Sequence, residues 1–201
     1  MEGTEHLYLG DLDLKSWPEF EEFFNKYNGV QNSCWCLYYH KGLNALKVDK
    51  DKNANSNHDL KQKLVAEGKS RSVLVYSEGS VIASCQYGTF EELPRIENAT
   101  RYANLRLENG NEKKWRITCF FVYTHHRHKG IAKLALDGVL ERIARLGGGL
   151  VEAYPVKGKG TVEVWFGSIN MFVEKGFKVI ADFGRSNVLV RKHIDPIIAL
   201  R

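Results

Sequence analysis

The stretch Tyr123–Leu136, YTHHRHKGIAKLAL, sets three histidines, an arginine and a lysine directly before Gly130 and an apolar helical pattern. Three chemistries suit such a crowd: a metal site, a nucleic-acid patch, or a cradle for a phosphate. A loop feeding a helix N-terminus exposes unpaired N–H groups backed by the positive end of the helix dipole. That combination binds phosphate. Gly130 has no Cβ, so the backbone can come close to an anion. Arg127, Lys129 and Lys133 add positive charge. A metal site needs side chains that converge on one point, and the adjacent His125 and His126 do not have that spacing. A solvated basic loop without a ligand is the plain alternative.

Other reactive residue types are weaker signals. Cys34 and Cys36 flank Trp35 and invite a metal or redox reading, but no second pair stands at ligand spacing. Cys85 and Cys119 fall in strand-like runs and read as small core residues. A covalent cysteine route lacks a His or Asp partner placed by sequence. Glu91 and Glu92 could attract an amine, or belong to a solvated turn.

The elements that must position the basic loop are legible in outline. EHLYLGDL reads as a strand. KSWPEFEEFFNKY reads as a helix with Pro18 in its first turn and Phe20, Phe23, Phe24 and Tyr27 as its apolar stripe. KVDKDKNANSNHD is polar and aperiodic, which predicts an exposed loop. NHDLKQKLVAEG predicts a capped helix with Leu60, Leu64 and Val65 on one face and Gly68 as its stop. RSVLVYSEGSVIASCQYG predicts a hairpin turning at SEGS. ENATRYANLRLENGNEKK reads as a loop excursion.

WRITCFFV predicts a central strand. Ile131, Leu134, Ala135, Gly138, Val139, Ile143 and Leu146 then mark a helix closed by Gly147–Gly149. LVEAYPV predicts a strand, and VKGKGTVEVWFG a connection. SINMFVEKGF predicts a short helix ending at Gly176. KVIADFG and NVLVRKHI predict two closing strands. The order is α/β with a mixed sheet, in one domain spanning residues 1–201.

Composition sets outer bounds. The chain has 201 residues, 26% of them charged, and a formal net charge of +5. That suits an anionic ligand and falls short of a dedicated nucleic-acid protein. No apolar run reaches membrane-spanning length. The absence of a signal-peptide pattern and the four scattered cysteines lead to the expectation of a cytoplasmic protein with free thiols.

The motif Arg127-x-x-Gly130-x-Ala132, after an apolar strand ending at Val122 and before an amphipathic helix, resembles the acetyl-CoA signature of the GNAT superfamily of N-acetyltransferases. The element order and MFVEKGF resemble that superfamily as well, with the signature region at about 115–180. The resemblance implies a GNAT-like acyl-CoA N-acyltransferase fold and acetyl-CoA as cosubstrate, with no metal. The sheet would be mostly antiparallel, with the signature strand and LVEAYPV splayed around the thioester. Phe120 and Val122 would lend backbone groups to the pantetheine arm. The amides from His128 through Lys129, Gly130 and Ile131 to Ala132 would hold the pyrophosphate, with Arg127 leading the motif.

Two departures follow. Many members carry a tyrosine acid where this chain has Phe172, which can pack on pantetheine but cannot give a proton. An asparagine common seven residues earlier is replaced by Trp165. Local candidates remain: Glu152 and Tyr154 are two apart and share a face of their strand. If that face opens on the splay, Glu152 could take the ammonium proton and Tyr154 could donate to sulfur. The plain reading has Glu152 paired with a cation and Tyr154 packed. Trp35 and Tyr38, with Tyr39, could line the acceptor pocket or form an aromatic mini-core.

The expected activity is acetyl transfer to an amine of a small molecule or peptide, by direct attack in a ternary complex. A CoA-binding module without transferase activity is the rival. Neither nucleic acid nor a membrane is an expected partner, and the closing strands could pair across a homodimer.

Overall fold

The computed structural model describes residues 6–26, 34–40, 54–97, 99–108, 110–157 and 165–197. Strand β1 (Leu7–Asp11) leads into α1 (Trp17–Asn25), where Trp17, Phe20, Phe23 and Phe24 are buried. Tyr27 lies outside the described residues. Helix α2 (Ala54–Ala66) begins inside the run expected to be an exposed loop. The loop's remaining part, 47–53, lies outside the described residues. No Gly or Pro stands between Ala54 and Asp59 to stop a helix. The buried face of α2 carries Asn57, Lys61 and Val65, at successive four-residue steps, while Leu60 is 37% exposed. The expected stripe is therefore rotated toward polar residues.

Strands β2 (Arg71–Ser77) and β3 (Ser80–Thr89) form the expected hairpin. Glu78 and Gly79 turn it with φ of 49° and 81°, the left-handed pair that suits strand twist. The excursion that follows contains a short helix, α3 (Thr100–Ala103). Strand β4 (Lys114–Val122) precedes a 3-10 turn at Thr124–His126 and helix α4 (Ile131–Arg145). Then come β5 (Gly149–Ala153), α5 (Ile169–Glu174), β6 (Lys178–Phe183) and β7 (Asn187–Ile194). Tyr154 and Pro155, expected within a strand, follow β5's last residue.

The sheet has seven strands in the order β1-β2-β3-β4-β5-β7-β6, with β4 in the middle as expected. Among the strands of the described residues only β4 and β5 pair in parallel, and their pairing ends at Ile117↔Ala153. Beyond it β4 runs on to Val122 without β5. On one face α4 buries Ile131, Ala135, Leu136, Val139 and Ile143 against Val73, Val75, Ile117 and Val151. On the other, α1 packs Phe20 and Phe24 against Trp35 and Phe121. A third cluster, with Tyr39, Phe90, Leu93, Tyr102, Tyr154 and Phe183, lies under the α3 excursion.

Candidate active site

The basic loop hangs between the end of β4 and the start of α4. Arg127 Nε donates to the Val122 carbonyl at 3.1 Å and ties the loop back to its strand. His128 and Gly130 both take left-handed φ, 62° and 79°. No side chain caps α4 at Gly130. The first N–H groups of a helix have no intrahelical acceptor, so those after Gly130 face outward as donors. A Cβ built on Gly130 meets nothing within 4 Å, so the space in front of this backbone is open.

That space is a cavity of about 710 Å³. One wall is Phe120, Phe121 and Val122, the floor is His126–His128 with Gly130–Lys133, and the far wall is Trp165, Gly167, Ser168, Asn170, Met171 and Glu174. Glu174 is paired with Lys133 at 2.5 Å across the mouth. The residues fit a pyrophosphate-bearing ligand: an uncapped helix start, a glycine whose absent side chain leaves room, and flanking cations. Of the residues named from the sequence, Phe120, Val122, Arg127, His128, Gly130, Ile131 and Ala132 line the cavity. Lys129 is exposed and is not among the lining residues.

Other residues named from the sequence lie away from the cavity lining. Phe172 is fully buried, with its ring edge-on to Phe120 and Phe177. It is core behind the cavity, not a wall of it. Trp35 is buried at 4% exposure and stacks on Phe24 at 5.5 Å, so it belongs to the α1 core. Tyr38 is exposed and carries the Arg95 guanidinium 3.7 Å over its ring, so it remains at the surface where an acceptor could touch it.

Glu152 and Tyr154 do share a face, and the Tyr154 hydroxyl donates to Glu152 at 2.6 Å. Neither lines the cavity. Glu152 also accepts from Tyr102 at 3.0 Å and from Arg191 at 2.8 and 2.6 Å. Tyr154 accepts from the buried Arg116 at 3.2 Å, and burial pushes its phenol well above the ordinary range. This is an internal polar network, the plain reading of the spacing.

The splay is also not an empty gap. The Trp165 carbonyl accepts from the Phe120 N–H at 2.7 Å, and the Gly167 carbonyl from the Val156 N–H at 3.3 Å. Trp165 stacks on Phe121 at 5.5 Å. The segment at Trp165–Ser168 thus spans the two diverging strands, and the N–H of Phe120, one of the backbone groups expected to meet pantetheine, is bonded within the chain. Trp165 stood out in the sequence only as a missing asparagine; its bridging carbonyl is a backbone property that no residue type announces.

A strand that parts from its parallel neighbour beside a glycine-led helix is the architecture of the GNAT acetyltransferases, and this chain has that fold. It is similar to an N-acetyltransferase from Staphylococcus aureus Mu50, with 12% identity, TM-score 0.54, and 94% of this chain and 98% of that one covered. The GNAT-family acetyltransferase from Streptococcus pneumoniae gives 12%, 0.51, 94% and 99%. The Salmonella typhimurium yncA protein, solved with its cofactor acetyl-CoA, gives 16%, 0.51, 96% and 96%. No family model and no curated protein matches the sequence.

Proposed function

We propose that the chain is an acetyl-CoA-dependent N-acetyltransferase acting on an amine of a small molecule or peptide. One observation carries the reading: the uncapped start of α4, with left-handed His128 and Gly130, opens into the cavity beside the splayed strands. The fold shared with acetyltransferases supports it.

In this reading the backbone from His128 to Ala132 holds the pyrophosphate, and Phe120, Met171 and Gly167 enclose the arm beyond it. Acetyl-CoA supplies an activated thioester carbon. The protein orients that carbon toward the bound amine, and the exposed Tyr38 with Arg95 over its ring is the surface assigned to that acceptor in this reading. Direct attack by a bound amine then needs positioning above all. Glu152 and Tyr154 take no part in it, because their polar atoms are engaged with Tyr102, Arg116 and Arg191. The thiolate leaves without help from Phe172.

The rival, a CoA-binding module without turnover, is favoured by the buried Phe172 and by the chain's own bond on Phe120. Two measurements decide. Calorimetry should show CoA binding that weakens about tenfold or more in Gly130→Glu. Thiol release from acetyl-CoA across a panel of amines should separate transferase from module. Unchanged affinity in Gly130→Glu removes the cradle; binding without thiol release leaves the module.

A further inference from the structure

Arg95 is half-buried in the excursion between β3 and β4, and its Nη1 is buried without a hydrogen-bond partner. Among the described residues no carboxylate pairs with it: Glu92 is drawn to Arg71, and Glu97 to Arg116 at 3.9 Å. What holds the guanidinium is a ring, since it lies 3.7 Å over Tyr38. Arg101 of α3 is held in the same way, 4.5 Å over the Phe183 ring and beside Gly184 in the β6–β7 turn. No carboxylate among the described residues pairs with Arg101 either. A guanidinium stacked on an aromatic face keeps its N–H fork free at the edge, and that fork matches a carboxylate or a phosphate. A partly buried cation that no carboxylate answers leaves its charge for a ligand to complete.

The two cations belong to one neighbourhood, with Tyr39 at its centre. The Arg95 N–H donates to the Tyr39 carbonyl at 3.3 Å. The rings of Tyr38 and Tyr39 meet edge-on at 4.9 Å. Tyr39 and Phe183, the ring under Arg101, share the buried cluster beneath the excursion. Burial raises the Tyr39 phenol, and the fields of Arg101 and Arg95 both oppose that rise. The neighbourhood is joined to the cavity wall. Tyr39 meets Phe166 edge-on at 6.2 Å, and Phe166 stands in the chain between Trp165 and Gly167, which line the cavity.

We propose that Arg95 and Arg101 form an anion site that selects an acceptor amine bearing a carboxylate or a phosphate, an inference that rests on the acetyltransferase reading of the cavity. The acidic group is held at the guanidinium edges, and the amine of the same molecule stays free to meet the thioester. Tyr38 and Phe183 keep the two forks in place before the ligand arrives, so little side-chain freedom is lost on binding. An uncharged amine lacks this hold. A polyamine meets two like charges and is turned away.

The test compares acceptors matched except for the acidic group: phenylalanine with phenethylamine, lysine with cadaverine, and phosphoethanolamine with ethanolamine. Thiol release from acetyl-CoA should give the acidic member a KM lower by about tenfold or more, and the pair that shows it names the anion. Arg95→Gln should raise that KM about tenfold while the KM for acetyl-CoA and for the uncharged amine stays in place. A residue that only props the fold would move all three. Arg95→Lys keeps the charge without the fork and should recover part of the loss. Arg101→Gln, at an exposed position, should shift the same KM in the same direction. Equal KM values across every pair, or a preference that survives both Arg95→Gln and Arg101→Gln, overturn the anion site and leave the acetyltransferase reading standing. If no amine releases thiol, that reading falls and calorimetry decides the site alone. N-acetylphenylalanine or N-acetylphosphoethanolamine should then bind in the presence of CoA and lose its affinity in Arg95→Gln; no affinity for either overturns the proposal.

Discussion

Tyr102, Tyr154 and Arg191 all donate to the Glu152 carboxylate, which has no exposed surface. A group so surrounded is a structural anion. Glu152→Gln removes the charge that Arg191 faces at 2.6 Å and sets amide hydrogens among donors. Removing one partner of a buried pair costs about 3–5 kcal/mol. Chemical denaturation should show a loss on that scale, while thiol release per folded molecule stays near wild type. A large fall in kcat at unchanged stability would return Glu152 to the reaction. The two-residue spacing correctly placed both side chains on one face. It could not reveal that Arg116 and Arg191, distant in sequence, converge on them from β4 and β7.

Helix α4 aims the cradle, and its distance from the sheet is set by a glycine. A Cβ on Gly138 would lie 2.7 Å from Leu9 Cδ1 and 3.0 Å from Val73 Cγ1. Gly138→Leu must push α4 off β1 and β2. Overpacking of this kind costs about 1–3 kcal/mol. The melting temperature and the CoA affinity should fall together, because the same displacement turns the Gly130 end of the helix. Affinity lost without a stability change would mean that α4's seat does not set the cradle. The helix itself was legible, since its apolar residues recur at helical spacing, although Leu146 is 43% exposed at the end. Helix α2 was harder to read because its buried face carries Asn57 and Lys61. A periodicity argument counts such residues as solvent-facing, and only the fold shows that the Lys61 ammonium meets the Ser70 hydroxyl at 2.6 Å inside. The α3 turn within the excursion is four residues long, too short to carry a period.

At the scale of the whole molecule, a ligand that binds only the folded chain must raise its stability. At a hundred times Kd the gain is about 2.7 kcal/mol. For a chain of this size each kcal/mol moves the melting temperature by about 2–4 °C, so saturating acetyl-CoA should raise it by roughly 5–10 °C. The shift should shrink as salt is added, because Arg127, Lys133 and the α4 amides act on the pyrophosphate partly through charge. A pantetheine fragment without the nucleotide should give far less, since it leaves the cradle unused. Gly130→Ala and Gly130→Glu carry the same left-handed backbone strain at φ 79°, so their unliganded melting temperatures should drop alike. Glutamate alone adds bulk and negative charge in front of the amides, and it should abolish the acetyl-CoA shift that alanine keeps in part. Differential scanning calorimetry of the three proteins, each with and without acetyl-CoA, reads all of this at once. An equal shift in wild type and Gly130→Glu would place the nucleotide somewhere other than the start of α4.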